Sequence, residues 1–199
     1  MAKVLALYNS LMGDNGNSTQ LVNLFLQKYQ AQNAGSSVTK RDLVSEALPH
    51  LTLAEMGAWM TPADQRTAEQ QEVAALSDNL IKEVQDSDVI VIGMPLYNFG
   101  ISSQFKAWVD RIARAGVTFK YTETGPVGLI TGKKVYVLAA RGGMYQGTPA
   151  DSQTPYLKTT LGFLGMTDVE FVYAEGLAMG DESKSKALSA ADTAISELA

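Results

Sequence analysis

The chain has no cysteine and a single histidine, His50. Disulfides, thiolate metal sites and cysteine nucleophiles are excluded, and one histidine cannot build a His-rich metal site. What remains for chemistry gathers in three short stretches. "YNSLMGDNGNSTQ" (8–20) contains two Gly, three Asn, two Ser, one Thr and one Asp, with no Lys or Arg. Small residues let backbone N–H groups approach an anion closely, and Ser10, Asn17, Ser18 and Thr19 add side-chain donors. The stretch lacks the Gly-Lys-Ser/Thr order of a Walker loop and the GxGxxG of a dinucleotide loop. "MPLYNFGISSQ" (94–104) offers Tyr97 and Phe99 as flat surfaces and Asn98 as a donor toward a heteroaromatic ring. "AARGGMYQG" (139–147) has Gly142 and Gly143 for close backbone approach, and Arg141 either to bond a ligand or to brace the loop. Each stretch also has an ordinary reading: helix caps at Asn17 and Ser18, turn glycines, packed loop aromatics.

The elements between these stretches bring them together. "KVLALYN" (3–9), "DVIVIGMP" (88–95) and "KVYVLAA" (134–140) are continuously apolar, the mark of strands covered on both faces. "SSVTKRDL" (36–43) is polar, and "DVEFVYAEG" (168–176) sets Val169, Phe171 and Tyr173 against Glu170; both suit sheet edges. Helical periods separate the strands. Residues 18–30 place Leu21, Leu24 and Phe25 on one face, widened by Val22 and Leu26. Thr67 and Gln70 form a capping-box pattern ahead of a stripe of Val73, Leu76, Leu80 and Val84. Residues 101–116 carry Ile101, Phe105, Trp108, Val109 and Ile112, with Gly116 as the expected stop. Thr154 and Pro155 are the expected cap and first turn of a helix that Gly165 closes. Ala187, Leu188, Ala191, Ala194, Ile195 and Leu198 mark a C-terminal helix. Residues 44–66 read as an excursion with a short helix, and 117–134 as a hairpin-like insertion.

Five strands alternating with five helices specify an α/β, doubly wound, five-stranded parallel sheet with helices on both faces. Edge character of the second and fifth strands gives the flavodoxin-like order 2-1-3-4-5, expected as one domain over 1–199. In such a fold ligands bind beyond the carboxyl ends of the strands, where all three stretches lie. The first stretch also opens a helix, whose free N–H groups and dipole attract an anion. The group expected there is one phosphate without a metal, as in FMN.

The 199 residues are 46% hydrophobic and 19% charged, with a formal net charge of −5. That acidity disfavours a nucleic-acid partner. No apolar run approaches the ~20 residues of a membrane span. "MAKVLAL" lacks a signal-peptide pattern, so the expected location is cytoplasmic.

"PLYNFGISSQFKAWVDRIARAGVTFKYTETGPVGL", "ARGG", "TPYLKTTLGFLG" and "TDVEFVYAEG" occur in order over essentially the whole chain. In these motifs the protein resembles the FMN-dependent NAD(P)H azoreductases, relatives of flavodoxin and of the NAD(P)H:quinone reductases. The resemblance implies a phosphate loop at Ser10, Gly16, Asn17 and Ser18. It implies isoalloxazine contacts at Leu96, Tyr97, Asn98 and Phe99 and at Ala140, Arg141, Gly142 and Gly143, Ala140 standing where relatives often carry Ser. Trp59 and Met60 stand where some relatives carry a basic residue near the pocket. Also implied are NADH or NADPH as electron donor, a homodimer with two flavin sites at its interface, and planar acceptors, namely quinones and azo compounds. Tyr121 and Phe163 are the expected substrate-slot walls. Leu157, Leu161 and Leu164 form one face of the helix over 155–164, with Tyr156 and Phe163 on another. No side chain is expected to act as a catalytic acid or base, because the flavin carries the chemistry. Two other readings stand beside this one: a flavodoxin-type electron carrier without a substrate pocket, and a scaffold protein that has lost flavin. The insertions at 50–66 and 117–134, as possible roofs over a pocket, favour the enzyme.

Overall fold

The computed structural model describes residues 1–199. Strands β1 (Lys3–Tyr8), β2 (Ser37–Asp42), β3 (Val89–Pro95), β6 (Lys134–Ala140) and β7 (Asp168–Ala174) form a parallel sheet in the order β2-β1-β3-β6-β7. A separate antiparallel hairpin pairs β4 (Phe119–Thr122) with β5 (Gly125–Gly128). The expected order and edges are those observed. All seven residues of β3 are buried, as its unbroken apolar run requires.

Alternation along each strand divides the core. Val4, Ala6 and Tyr8 face α1 (Asn17–Gln32) and α6 (Asp181–Leu198), together with Phe25, Val91, Leu138, Ala191 and Ile195. Leu5 and Leu7 face α3 (Ala68–Asp86), α4 (Ser103–Ile112) and α5 (Gln153–Leu164), together with Ile90, Phe105, Trp108 and Leu161. On α1 the buried face is Leu21, Val22, Phe25, Leu26 and Tyr29, with Leu24 only half-buried. On α3 the capping box of Thr67 and Gln70 is present. Its buried stripe runs through Ala74, Ser77, Leu80, Ile81 and Val84, so Val73 and Leu76 lie at the margin.

Two helix ends differ from expectation. Helix α4 stops at Ile112, four residues before Gly116. The hydroxyl of Thr118 donates to the Ile112 carbonyl at 2.6 Å and accepts from the Arg114 N–H at 2.8 Å. It thereby satisfies the helix end, and Gly116 (φ 80°) instead turns the chain into the hairpin. Helix α5 begins at Gln153, not at Pro155. Asp151 Oδ1 accepts the Thr154 N–H at 3.0 Å, a bond that takes the place of a cap by Thr154. Pro155 then sits inside the first turn, where its missing N–H costs nothing. Gly165 closes α5 in the left-handed region, as expected.

The excursion carries α2 (Leu53–Met60), capped by the reciprocal bonds of Thr52 and Glu55. It is fastened to α4 by a buried ion pair, Glu55 Oε1 to Arg111 Nη2 at 2.6 Å. Arg111 Nη1 donates to the Pro49 carbonyl at 2.6 Å. Arg66 Nε donates to the carbonyls of Ala58 and Thr61, and Arg114 lies 5.4 Å from the Trp59 ring centroid. The excursion is therefore a rigid outer layer over α3 and α4.

The hairpin is pressed onto the end of α5. A Cβ on Gly128 would stand 2.1 Å from the backbone nitrogen of Gly165. Backbone cannot yield as a side chain can, so Gly128→Ala is expected to cost about 1–3 kcal/mol or more. Gly57 lies in α2 with nothing near its missing Cβ, and Gly57→Ala should instead gain about 0.5–1 kcal/mol. Thermal melts of the two variants give opposite signs if the crossing is as tight as described.

Candidate active site

The three chemistry-bearing stretches meet beyond the carboxyl ends of β1, β3 and β6. They enclose an open pocket of ≈ 290 Å³, lined by Ser10, Gly16, Asn17 and Ser18, by Leu96 and Tyr97, and by Ala140, Arg141 and Gly142. A larger groove of ≈ 430 Å³ lies beside β2 and α3. There Arg41 forms ion pairs with Glu46 and Glu83, and Lys82 with Asp86.

The first loop leaves its helix uncapped. Gly16 is the N-cap of α1 and makes no side-chain cap bond. The first helical bond runs from the Gln20 N–H to the Gly16 carbonyl, and the N–H groups of Asn17, Ser18 and Thr19 have no acceptor. Asn17 and Ser18 are thus the first two residues of the helix and do not cap it. The side chain of Ser10 explains the glycine: a Cβ on Gly16 would overlap Ser10 Oγ at 1.9 Å. Close packing holds the helix end against the sheet, since a Cβ on Gly93 would stand 2.8 Å from Val22 Cγ2.

The second loop is a tight turn in which Asn98 (φ 49°) and Phe99 (φ 62°) are both left-handed. The Tyr97 N–H donates to the Gly100 carbonyl and the Gly100 N–H to the Tyr97 carbonyl, at 3.2 and 2.9 Å. The N–H groups of Asn98 and Phe99 remain unpaired. Left-handed backbone at consecutive non-glycine residues costs of order 1–3 kcal/mol each and persists only where surroundings enforce it. Leu96 spends its N–H on the Ala140 carbonyl at 3.1 Å, tying the second loop to the end of β6.

In the third loop the Gly142 and Gly143 N–H groups are also free, while their carbonyls accept from Ala178 and Gly176. Arg141 braces the loop. Its guanidinium is buried, with Nη1 3.1 Å from Glu175 Oε1 and Nη2 3.0 Å from Asp151 Oδ1 and 2.9 Å from Thr154 Oγ1. It also lies 4.9 Å from the Tyr173 ring centroid. Burial pushes the Asp151 carboxyl up, but hydrogen bonds from the Thr154 N–H, Arg141 and the Thr154 hydroxyl outweigh it and hold the carboxyl below its ordinary value. A carboxylate depressed on folding stabilises the native state above its unfolded pKa of about 3.9, and that contribution fades as pH falls through the lower folded value.

Several residues that hold the loops carried no sequence signal beyond their polarity. Asn9, fully buried, donates to the Gly93 carbonyl at 3.0 Å and accepts from the Ser102 hydroxyl at 3.4 Å. The Leu11 N–H donates to the Tyr97 hydroxyl at 3.0 Å, linking the first two loops. Gln153 and Ser152 both donate to carbonyls of the second loop. Glu175 accepts from the Tyr145 and Gln146 N–H groups, both at 2.9 Å.

Tyr121 and Phe163 are placed elsewhere. Both pack on Phe119 of the hairpin, with ring centroids 5.5 and 4.3 Å away. Phe163 is half-buried against the core of its own chain, so it is not free of that core as its helical position suggested. Helix α5 runs antiparallel to the strands, and the Leu164 carbonyl accepts from Ile130, ahead of β6. Phe163 therefore sits toward the amino edge of the sheet. Neither it nor Trp59, Met60, the excursion or the hairpin lines the strand-end pocket of the same chain.

Seven backbone donors in the three loops are unpaired: Asn17, Ser18 and Gly142 belong to the pocket lining, whereas Thr19, Gly143 and the exposed turn residues Asn98 and Phe99 lie outside it. Of the lining residues, Tyr97 and Arg141 both serve as braces. Such backbone donors suit an anion and the polar edge of a flat ring.

A family model for the flavodoxin-like fold matches residues 2–199. The chain is 57% identical over 195 residues to an FMN-dependent NADH:quinone oxidoreductase of Burkholderia lata, covering 98% of each chain. It is 56% identical over 184 residues to an FMN-dependent NADH:quinone oxidoreductase of Cellvibrio japonicus, covering 92% of each. Among solved structures, an FMN-dependent NADH-azoreductase from Bacillus anthracis in complex with FMN superposes with a TM-score of 0.88 at 30% identity over the whole of both chains. Sheet order, the three-loop pocket and these likenesses agree, and the chain belongs to the flavodoxin-like family of FMN-dependent NADH:quinone oxidoreductases and azoreductases.

Proposed function

We propose that this protein is an FMN-dependent oxidoreductase that draws electrons from NADH or NADPH and reduces quinones and aromatic azo compounds. The observation that carries the reading is the pocket of backbone donors, which matches what FMN needs at both ends. The uncapped start of α1, with Ser10 and Ser18 beside it, suits one phosphate. The free N–H groups of Asn98, Phe99, Gly142 and Gly143 suit the oxygens and nitrogens of the ring. Arg141 acts on the ring through the loop it braces. Bound there, FMN would supply two-electron transfer from the nicotinamide to the acceptor. The chain's part is to anchor the phosphate, fix the ring edge and leave one face open to each substrate in turn. A cytoplasmic setting is part of the reading.

The reading includes a homodimer. Leu53 and Met60 of α2 are 85% and 83% exposed and Tyr121 of the hairpin 74%, with Met56, Val127 and Leu129 exposed beside them. Exposed apolar side chains on α2 and on the hairpin favour burial against another surface. Because Tyr121 and Phe163 lie away from their own chain's pocket, they wall a slot only as contributions to the site of a second copy. The electron-carrier alternative lacks that wall.

Heating should release FMN and not FAD, because the first loop suits a single phosphate. Ser18→Ala should weaken FMN binding roughly fivefold, about 1 kcal/mol for a lost donor. Ser18→Asp should weaken it more, by setting a charge against the phosphate. Equal flavin retention by both variants through dialysis would remove the first loop as the phosphate site. Two-substrate initial rates should give parallel double-reciprocal lines, as expected when one slot serves donor and acceptor alternately; intersecting lines contradict a shared slot. Phe163→Ala should cost about 1–2 kcal/mol, less than the ~3–5 kcal/mol of a fully buried Phe. It should also raise KM for a planar quinone with FMN content unchanged. A large fall in the melt with KM unchanged would leave Phe163 a core residue only.

A further inference from the structure

Gln153 is 1% exposed and lies in the first turn of α5, outside the three stretches that form the pocket. Its amide reaches two of them. Nε2 donates to the Pro95 carbonyl at 2.9 Å and to the Gly100 carbonyl at 3.1 Å, on either side of the turn at Tyr97–Gly100. Oε1 accepts from Arg141 Nη2 at 3.4 Å. The preceding residue adds a second tie, the Ser152 hydroxyl donating to the Phe99 carbonyl. Across the gap Phe99 meets Tyr145 edge-on, with ring centroids 5.4 Å apart.

These bonds account for the strained turn. Asn98 and Phe99 are held left-handed, and their N–H groups consequently have no internal acceptor. Such a turn needs outside support, and Gln153 supplies it at both ends. The same amide touches the guanidinium that fixes Gly142 and Gly143. An amide is required for electrostatic reasons. Two carbonyls need a donor and Arg141 needs an acceptor, which one uncharged amide provides. A carboxylate would lose both donors and place a third acid beside Asp151 and Glu175, which already face the single charge of Arg141.

We propose that Gln153 is a positioning residue for the flavin ring. It sets the Asn98–Phe99 and Gly142–Gly143 donors at a fixed relative position before the cofactor arrives. The proposal rests on the FMN reading above. It assigns Gln153 no contact with the cofactor and no part in the phosphate site, which belongs to the first loop.

The experiment compares wild type with Gln153→Glu and Gln153→Met, in apo and FMN-loaded forms. Four readouts apply: Kd for FMN, the constant for inorganic phosphate as a competitor of FMN, the visible spectrum with the flavin midpoint potential, and the apoprotein melt. Expected are an FMN Kd raised at least tenfold in both variants, a phosphate constant within twofold of wild type, and an altered flavin spectrum and potential. Variants with a lower melt but wild-type Kd, spectrum and potential would show Gln153 to be structural only and overturn the proposal. Should neither variant fold, amide exchange in the wild-type apoprotein decides. Slow exchange at Tyr97 and Gly100 without FMN supports a preset turn, and fast exchange that FMN alone slows overturns it. Failure of wild type to bind FMN strikes the flavin reading itself, while the exchange result still decides whether the turn is preset.

Discussion

A backbone N–H without an acceptor is costly when buried and is tolerated where a ligand or water meets it. This fold leaves seven such groups in three loops at one edge of the sheet: Asn17, Ser18 and Thr19 at the start of α1, Asn98 and Phe99 in the turn after β3, and Gly142 and Gly143 after β6. The parallel sheet is what makes this economical. Each strand ends at the same edge, and each chain leaves that edge through a loop before its helix begins. Two small residues keep the loops close. Gly16 makes room for Ser10, and Gly93 lets α1 lie against β3. The donors belong to the backbone, so their placement depends on loop shape more than on which side chains the loops carry.

Loop shape is in turn held by side-chain bonds between the loops and their surroundings. Tyr97 hydrogen-bonds to Leu11, Asn9 ties the end of β1 to β3 and α4, and Arg141 joins Asp151, Thr154 and Glu175. A fully buried guanidinium is expensive unless its charge and donors are met. Arg141 meets that condition with two carboxylates, and Nε alone lacks a partner. Removing Arg141 would leave two carboxylates without a counter-charge, so the network behaves as a unit. Loops fixed in this way before a ligand binds would lower the ordering cost of binding.

The fold was legible in the sequence because its signals are local. Unbroken apolar runs marked the three central strands, a polar run and an alternating run marked the edges, and Thr67 with Gln70 announced α3. The misplaced boundaries share one cause. Gly116 and Thr154 are good stop and cap residues by type, but Thr118 and Asp151 took those roles through bonds that type alone does not reveal. In the site, the loops and their glycines were readable, while the braces were not. Gln153 lies 58 residues from Pro95, and Glu175 lies 34 from Arg141, so their bonds exist only after the sheet has formed. Arg141 was seen as either a ligand group or a brace, and the geometry chose the brace. Phe163 was read from helical position alone, which could not show Phe119 approaching from the hairpin.

We propose that backbone donors of three loops hold the cofactor in a pocket already formed. Amide chemical shifts of the apoprotein, followed by NMR during titration with FMN, test it most directly. The account predicts saturation at one FMN per chain, with the largest changes at Asn17, Ser18, Thr19, Asn98, Phe99, Gly142 and Gly143 and small changes at the sheet core. Changes centred on the groove beside β2 and α3, or spread over the whole chain as in folding on binding, would contradict it.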